Sequence, residues 1–536
     1  MSHIYLYGPP GSGKSTIGKI LAERLELPFM DIDNVIENTA GKSIAKIFAN
    51  DGEAAFRDLE SSSLQTVSQY PPAIIALGGG ALLRSENREC AQSSGSVLCF
   101  TADFETLQNR VLKAPGQRPL VKGEGDLPKE ESPLFKLLER RTEHYSSFHF
   151  KLKVSDIPSE RTADNVQVVL GRYHVSGMGT PYNVFVGSGL LHLTGKLFAE
   201  AELGQRCVIV GDENTTPLYG KQVIKSLTKC GIECTSITIP AGEQHKTIET
   251  VGYLWKKFME AGIERRDTVI AMGGGVTGDL TGFAASTWLR GIKWISMPTT
   301  LLAMCDSGIG GKTGADLPEG KNLIGAFHPP AMVITDTDTL ATLPMREIRC
   351  GLAETIKHAI IADPELLKSL PKFDFCKLAA DDSTHETLKL ESWLPLFVAR
   401  SMAVKIRIIC EDPFEKGIRA SLNLGHTVGH GIEKATDFRL QHGEAVAIGT
   451  VIEARIAADM KLADESLPRL LAGLFKSVGL PTAIPEGLDI DQVITAIAKD
   501  KKKAGGKVRF ALPISIGQVQ TGVVVDSKLL VKKISR

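Results

Sequence analysis

Short runs of consecutive apolar residues alternate with stretches of helical periodicity from the start of this 536-residue chain. His3–Tyr7 predicts a strand buried on both faces, and Ser15–Leu25 predicts a helix. Ala73–Leu77 and Val97–Phe100 predict further buried strands. Such alternation specifies a parallel sheet wrapped in helices, an α/β fold. The pattern fades after about Val154, and between Ser155 and Tyr182 the chain is polar, with Pro158, Gly171, Gly177, Gly179 and Pro181. Residues 1–160 are therefore expected to form one domain, followed by a linker over 161–180.

A second strand–helix series begins at Asn183–Val186 and continues through Arg206–Val210, Thr268–Ala271 and Lys293–Ser296. From about Asp338 the strand signals thin out and long helical patterns replace them, clearest in Glu347–Ile361, Leu394–Cys410 and Glu444–Lys461. The expectation is a doubly wound α/β domain over 181–337 and a mainly helical domain over 338–536. No repeat of solenoid type and no low-complexity tract interrupts this order.

Composition narrows the partners. The 62 basic and 62 acidic residues cancel, so no global field draws nucleic acid or an anionic membrane, and an anionic substrate must be held by local clusters. The apolar runs contain glycines and are too short to span a bilayer. The glycine loop at Gly8 leaves no room for a signal segment before it. Nine scattered cysteines without a CxxC pair read as reduced thiols. Together these features predict a cytoplasmic protein acting on small molecules.

Gly8-Pro-Pro-Gly-Ser-Gly-Lys-Ser15 matches the phosphate-binding loop GxxxxGK[ST], between a predicted strand and a predicted helix. That placement aims backbone N–H groups and a helix N-terminus at phosphate oxygens. Gly11, Ser12, Gly13 and Thr16 would line the cradle, Lys14 would reach the transferred phosphate, and Ser15 would hold Mg²⁺ with ATP. Asp31 and Asp33 stand two apart, and on a strand end they would face the same way. Arg57, Gly78-Gly79-Gly80, Arg118 and Arg140-Arg141 before Tyr145 complete the set. Several guanidinium forks with one carboxylate suit a small hydroxylated acid.

In this order the residues resemble shikimate kinase over roughly the first 155 positions. The resemblance implies Asp31 on the magnesium side, Asp33 at the acceptor hydroxyl, and Arg57, Gly79 and Arg141 around shikimate. It implies Arg118 coming from a lid onto the ATP phosphates, and the polar stretch Lys122–Glu131 suits such a lid.

The second half carries its own constellations. Gly273-Gly-Gly-Val-Thr-Gly-Asp279 follows a predicted strand, as do Gly211-Asp-Glu-Asn214 and Gly242-Glu-Gln-His-Lys246. Glycines let a pyrophosphate approach the backbone, and acidic groups bind ribose hydroxyls. Glu354, His426, His430 and His442 are four candidates for a metal site that needs three protein ligands and an open position. A basic set lies between, comprising Arg290, Lys312, Lys321-Asn322, Lys357, Lys405, Arg419, Asn423 and Lys501-Lys502. In a chain of zero net charge it points to a phosphorylated, carboxylated substrate.

This series resembles 3-dehydroquinate synthase over nearly all of 181–520. The resemblance assigns the metal, Zn²⁺ or Co²⁺, to Glu354, His426 and His442, and moves His430 to the substrate phosphate. It assigns NAD to Asp212, Asn214, Glu243, Lys246, Gly275, Val276, Thr277, Gly278, Asp279, Thr299, Thr300, Lys312, Lys321, Thr339, Leu340, Ala341 and Thr342. It assigns the substrate, 3-deoxy-D-arabino-heptulosonate 7-phosphate, to Asp306, Arg290, Lys312, Asn322, Lys357, Lys405, Arg419, Asn423, His430 and Lys501 or Lys502. Lys312, Lys357 and His430 would be catalytic here, as Lys14 and Asp33 would be in the first half. Gly308 and Asp316 depart from the family pattern of serine and asparagine. Synthases of this kind are often dimeric, which extends a homodimer through the C-terminal half to this chain. Two other readings compete: a metal-dependent polyol dehydrogenase in the second half, and a silent nucleotide-binding regulatory module in the first.

Overall fold

The computed structural model describes residues 2–113, 128–372, 393–503 and 508–534. They fall into two compact units, Met1–Leu170 and Gly171–Arg536.

In the first unit, strands β1 (His3–Tyr7), β2 (Phe29–Asp31), β3 (Ile74–Ala76), β4 (Gly95–Thr101) and β5 (Phe150–Lys153) form a sheet in the order β2-β3-β1-β4-β5. Every pairing is parallel. The central β1 is buried at all five positions, and the alternation of strand side chains divides it between two cores. Tyr5 and Tyr7 pack with Ile32, Phe56 and Leu64 on one face. Ile4 and Leu6 pack with Ile17, Leu21 and Phe100 on the other. The helix Lys14–Leu25 springs from Gly13 at φ 87°, a left-handed conformation that favours glycine.

The expected linker is not one. Ser159–Leu170 is a helix with Thr162, Ala163, Val166 and Val168 buried. It is tied to the helix Lys14–Leu25 by Arg24, which pairs with Glu160 at 2.6 Å and Asp164 at 2.8 Å. Its polar face hid the apolar stripe. The next residues, Arg172–Val175, form β6 of the second unit. Position 337/338, expected as a domain boundary, falls inside that single compact unit.

There β6 is followed by β7 (Tyr182–Gly187), β8 (Arg206–Asp212), β9 (Glu233–Ile239), β10 (Thr268–Gly273) and β11 (Lys293–Pro298). After a hairpin of β12 (Lys312–Leu317) and β13 (Gly320–Phe327) comes β14 (Met332–Asp336). The main sheet runs β6-β7-β14-β11-β10-β8-β9. It is parallel except where β6 meets β7. All four strands expected in this part lie within it. The glycine-rich stretch at Gly310–Gly314 leads into the hairpin, and a second hairpin, β15 (Arg509–Ser515) and β16 (Gln518–Val524), lies in the part expected to be helical. The three expected helices are Met345–Ile361, Trp393–Glu411 and His442–Asp459. Among the described residues no helix is long and apolar enough to cross a membrane.

Glycines let three of the helical segments touch by backbone. A Cβ on Gly449 would lie 2.1 Å from the Gly425 carbonyl oxygen, and one on Gly443 would lie 2.3 Å from that of Cys350. These contacts draw the helices His426–Ala435, His442–Asp459 and Met345–Ile361 together. Gly449→Ala is expected to destabilise the second unit by about 1–3 kcal/mol or more, because no side chain can yield there. Urea unfolding followed by tryptophan fluorescence checks this, since Trp255, Trp288, Trp294 and Trp393 all lie in that unit. An unchanged midpoint would refute the packing argument.

Candidate active sites

In the first unit a cavity of about 350 Å³ opens at the C-terminal ends of β1 and β3, lined by the glycine loop, Asp31, Asp33, Arg57, Gly78–Gly80 and Arg141. The Ser15 hydroxyl donates to Asp31 Oδ2 at 2.6 Å, which brings the two expected magnesium-side groups together. Asp31 also accepts from the backbone N–H of Asp33 at 3.1 Å and so caps the helix Ile32–Ala40. Asp33 therefore sits on the first turn of a helix rather than on a strand, although both carboxylates still line the cavity. Lys14 Nζ donates to the carbonyls of Gly8 at 2.8 Å and Pro9 at 3.0 Å, folded back over its own loop.

Around the acceptor end, Arg57 Nη1 meets Glu60 at 2.7 Å and Nη2 meets Glu53 at 3.1 Å. Glu60 is 1% exposed, and burial raises its carboxyl above the ordinary range in spite of Arg57. Sequence reading missed Glu60, although its i,i+3 spacing from Arg57 within Gly52–Val67 is the signal that could have found it. The Gly79 carbonyl accepts from Arg141 at 2.9 Å, Tyr145 at 2.8 Å and Tyr7 at 3.2 Å, which pins the triple glycine against the sheet. Arg118 and residues 122–127 of the expected lid lie outside the described residues.

In the second unit the three expected nucleotide loops stand together at the C-terminal ends of β8, β9 and β10, where α/β sheets bind ligands. Asp212 Oδ1 accepts from the N–H groups of Asn214 at 2.9 Å and Thr215 at 2.8 Å. The helix Gly275–Thr287 points its N-terminus at the cleft and carries Val276, Thr277, Gly278 and Asp279. Lys246, nearly buried, meets Asp279 at 2.5 Å and Asn322 at 2.6 Å, while Glu243 pairs with Lys321 at 3.0 Å. Thr299 and Thr339 are linked by a 3.4 Å hydrogen bond beneath Thr300. Leu340 is buried in the turn Thr337–Thr342 and can offer only backbone, whereas Ala341 and Thr342 reach its surface.

The metal candidates resolve into one cluster. Glu354, His426 and His442 place a ligand atom each within 4.8 Å of one another. Glu354 Oε1 lies 3.7 Å from His426 Nε2 and 3.5 Å from His442 Nε2. Both Glu354 oxygens are buried without a hydrogen-bond partner, and Lys357 presses on Oε2 as its ion-pair partner. A buried carboxylate faced by two imidazole nitrogens fits a divalent cation with an open position. Burial, reinforced by Lys357, lowers His426 to about 3 and keeps it neutral, as a ligand must be. Burial would also depress His442, but Glu354 and Glu433 outweigh it and raise it to about 10, a measure of how strongly the pocket favours positive charge.

The basic set surrounds this cluster in part. Lys405 Nζ donates to Asp306 Oδ1 at 2.6 Å. Lys312 meets Glu415 at 3.3 Å, and Glu415 also accepts from Asn423 at 2.8 Å. Arg419 is buried against the Pro413 carbonyl. His430 stands 5.2 Å from His426, ring to ring. Arg290 is exposed just beyond the helix Gly275–Thr287, on backbone at φ 69°. Lys501 and Lys502 continue the helix Ile490–Lys503, with side chains outside the described residues. Asp316 accepts from the N–H of Asn322 at 2.7 Å, and Gly308 closes the turn after Ala303–Ser307. Glu415, Glu433 and Glu453 were missed: Glu415 pairs with Lys312 and Glu433 with His442, residues flagged only for their own chemistry, whereas Glu453 accepts from backbone N–H groups.

Glu453 lies behind the metal cluster. Fully buried, it accepts from the N–H groups of Gly425 at 2.6 Å and Val428 at 3.4 Å, at the start of the helix that begins with His426.

Comparison with known proteins agrees with this geometry. The family model for shikimate kinase matches residues 10–170. Those for the N-terminal and C-terminal parts of 3-dehydroquinate synthase match 236–350 and 351–503. The 3-dehydroquinate synthase of Rippkaea orientalis (strain PCC 8801 / RF-1) is 43% identical over 352 residues, which cover 66% of this chain and 94% of that one. A structure of 2-epi-5-epi-valiolone synthase from Streptomyces hygroscopicus subsp. jinggangensis 5008, with NAD+ and Zn2+ bound, is 30% identical with a TM-score of 0.60, covering 68% of this chain and 98% of that one. One of 2-deoxy-scyllo-inosose synthase with carbaglucose-6-phosphate, NAD+ and Co2+ is 26% identical with a TM-score of 0.58, covering 68% and 99%.

Burial pushes the Glu453 carboxyl up to about 8 from an ordinary 4.5. The folded chain therefore holds a proton there that the unfolded chain has released. That contribution to stability is complete below about 4.5 and is lost as pH rises through about 8. Between about pH 5 and 8, urea stability should fall more steeply in wild type than in Glu453→Gln, by up to about 1.4 kcal/mol per pH unit. Parallel profiles for the two proteins would sink this assignment.

Proposed function

The chain belongs to the 3-dehydroquinate synthase family over its C-terminal two thirds and carries a shikimate kinase domain ahead of it, and from that premise we propose how its residues divide two reactions. It is a bifunctional enzyme of aromatic biosynthesis. One half phosphorylates shikimate from ATP. The other converts 3-deoxy-D-arabino-heptulosonate 7-phosphate to 3-dehydroquinate and phosphate.

In the kinase half, the observation that carries the assignment is Ser15, Asp31, Lys14, Arg57 and Arg141 around one cavity. The N–H groups from Gly11 to Thr16 cradle the phosphates of ATP, and Ser15 with Asp31 would hold Mg²⁺. Lys14 exchanges the Gly8 and Pro9 carbonyls for the transferred phosphate. Asp33 accepts the proton of the attacking hydroxyl. Arg57, stiffened by Glu60 and Glu53, and Arg141 grip the shikimate carboxylate beside Gly79. The work is positioning and charge neutralisation.

In the synthase half, the carrying observation is the buried Glu354 carboxylate facing His426 and His442 with Lys357 at its side. The neighbours that hold NAD+ with Zn2+ or Co2+ support the same pair here. When bound, NAD accepts and returns a hydride while the metal polarises substrate oxygens. Asp212, Asn214 and Glu243 receive the ribose and adenine end of NAD, and the helix opening at Gly275 receives its pyrophosphate. Lys357, beside Glu354, would move a proton at a substrate hydroxyl. Lys312, Arg419, Asn423 and His430 hold the phosphate until it leaves, and Lys405 with Asp306 orients the ring. Glu415 sets the positions of Lys312 and Asn423 at once.

A homodimer through the second unit fits the apolar Phe327, 68% exposed, and Leu323, 44% exposed, on β13. The described cysteines are unpaired, in keeping with a reducing compartment such as the cytoplasm.

Lys14→Ala should abolish shikimate-dependent ADP formation while phosphate release from the heptulosonate sugar persists. Loss of both in a folded variant would refute the separation of the sites. Chelation should stop phosphate release, with Zn²⁺ or Co²⁺ restoring it and no NADH accumulating. Steady NADH production would instead indicate a dehydrogenase. Sedimentation of the full chain should give twice its 57.8 kDa mass, and a monomer would reject the dimer.

A further inference from the structure

A histidine ligand offers one ring nitrogen to a metal, and the partner of its other nitrogen decides which one is free. The two histidines of the Glu354 cluster are held in different ways. His426 Nδ1 lies 3.0 Å from the Leu424 carbonyl, which can only accept, so Nε2 keeps its lone pair and faces Glu354. His442 also turns Nε2 toward Glu354, but its Nδ1 lies 3.4 Å from Oε2 of Glu433. A neutral carbonyl orients one ligand and a carboxylate orients the other.

Glu433 is well placed for this. It lies on the helix His426–Ala435, three residues beyond His430 and seven beyond His426, so all three share one face. The chain then returns through Thr436–Gln441 to start the next helix at His442. Glu433 is 5% exposed. A carboxylate so buried is costly unless positive charge compensates it. Its Oε2 lies 3.4 Å from His442 Nδ1 and 4.0 Å from His430 Nε2.

Resting on the reading of Glu354, His426 and His442 as ligands, we infer that Glu433 is a positioning residue of the metal site: it accepts the Nδ1 proton of His442, fixes which nitrogen binds, and strengthens that nitrogen as a ligand. The rival role is that of a direct ligand, because His430, Glu433 and His442 also converge within 4.8 Å. The two roles differ in magnitude. An outer carboxylate tunes a metal that its inner ligands still hold, whereas loss of a ligand opens the site.

The test uses the full chain stripped by chelator and titrated with Co²⁺ against a chromophoric competitor, with the visible Co²⁺ spectrum recorded for each protein. Glu433→Gln, of nearly the same shape, should weaken Co²⁺ binding by about 10- to 100-fold, and Glu433→Ala by more, with the band intensities of the saturated proteins kept. Glu354→Gln should lose binding altogether. Affinity within twofold of wild type in Glu433→Gln would overturn the inference, and so would a loss as large as that of Glu354→Gln with altered bands. If Glu354→Gln itself bound Co²⁺ as tightly as wild type, the ligand reading would fall first and the inference with it. Thermal unfolding in chelator, followed by tryptophan fluorescence, shows that the glutamine variant is folded, so the comparison stands even if Glu433→Ala is not.

Discussion

The second unit is organised around one constraint: a carboxylate with no exposed surface must be surrounded by positive charge. Glu354 is buried on the helix Met345–Ile361, where an isolated ionised carboxylate would be untenable. Lys357 answers one oxygen from the same helix, one turn on. The other oxygen turns to His426 and His442, which arrive from two different helices. Those helices reach it only because Gly425, Gly443 and Gly449 let backbone meet backbone. Packing and chemistry are the same fact here. Each glycine that shortens a helix–helix distance also shortens a ligand distance.

Glu433 and Glu453 are further buried acids within the helical pair, and Glu453 meets its burial by keeping a proton rather than by a cation. Glu453 collects the N–H groups at the start of the helix that begins with His426, groups that no intrahelical bond can satisfy. Glu433 collects the outer nitrogen of His442. One fixes the direction of a helix and the other the orientation of a ring. The first unit meets its own constraint more simply. Asp31 caps a helix with one oxygen and takes the Ser15 hydroxyl with the other, so a single side chain joins the second strand to the glycine loop.

The fold and the ligands were legible from sequence where a single residue type carries the signal. The glycine loop, the alternating buried strands and the histidines all announce themselves by identity or spacing. What stayed hidden depends on relations between distant residues. Ser159–Leu170 reads as polar because Ser159, Glu160, Arg161, Asp164, Asn165 and Gln167 interrupt its apolar positions; only its contact with Lys14–Leu25 shows which stripe is buried. The β12–β13 hairpin is masked by glycines that are needed for close strand pairing: a Cβ on Gly325 would meet the Thr313 carbonyl at 2.1 Å. Glu60, Glu415, Glu433 and Glu453 are ordinary acids in the sequence, and only their folded partners distinguish them: a base for the first three and backbone N–H groups for Glu453.

Those hidden acids also explain how a chain with equal numbers of acidic and basic residues can bind two anionic substrates. Six of the cations assigned to a ligand already pair with a carboxylate: Arg57 with Glu60, Lys246 with Asp279, Lys321 with Glu243, Lys312 with Glu415, Lys357 with Glu354 and Lys405 with Asp306. A substrate anion therefore enters a field that is already balanced, and it binds by sharing or replacing a carboxylate rather than by neutralising a bare charge. Pairing keeps long side chains in fixed rotamers and spares the empty site the self-repulsion of clustered lysines. It also makes recognition geometric. An anion that cannot match the place of the displaced carboxylate gains little, because breaking a close ion pair in a buried cleft costs about as much as forming another. Selectivity in both halves then follows from where the acids sit as much as from where the bases do.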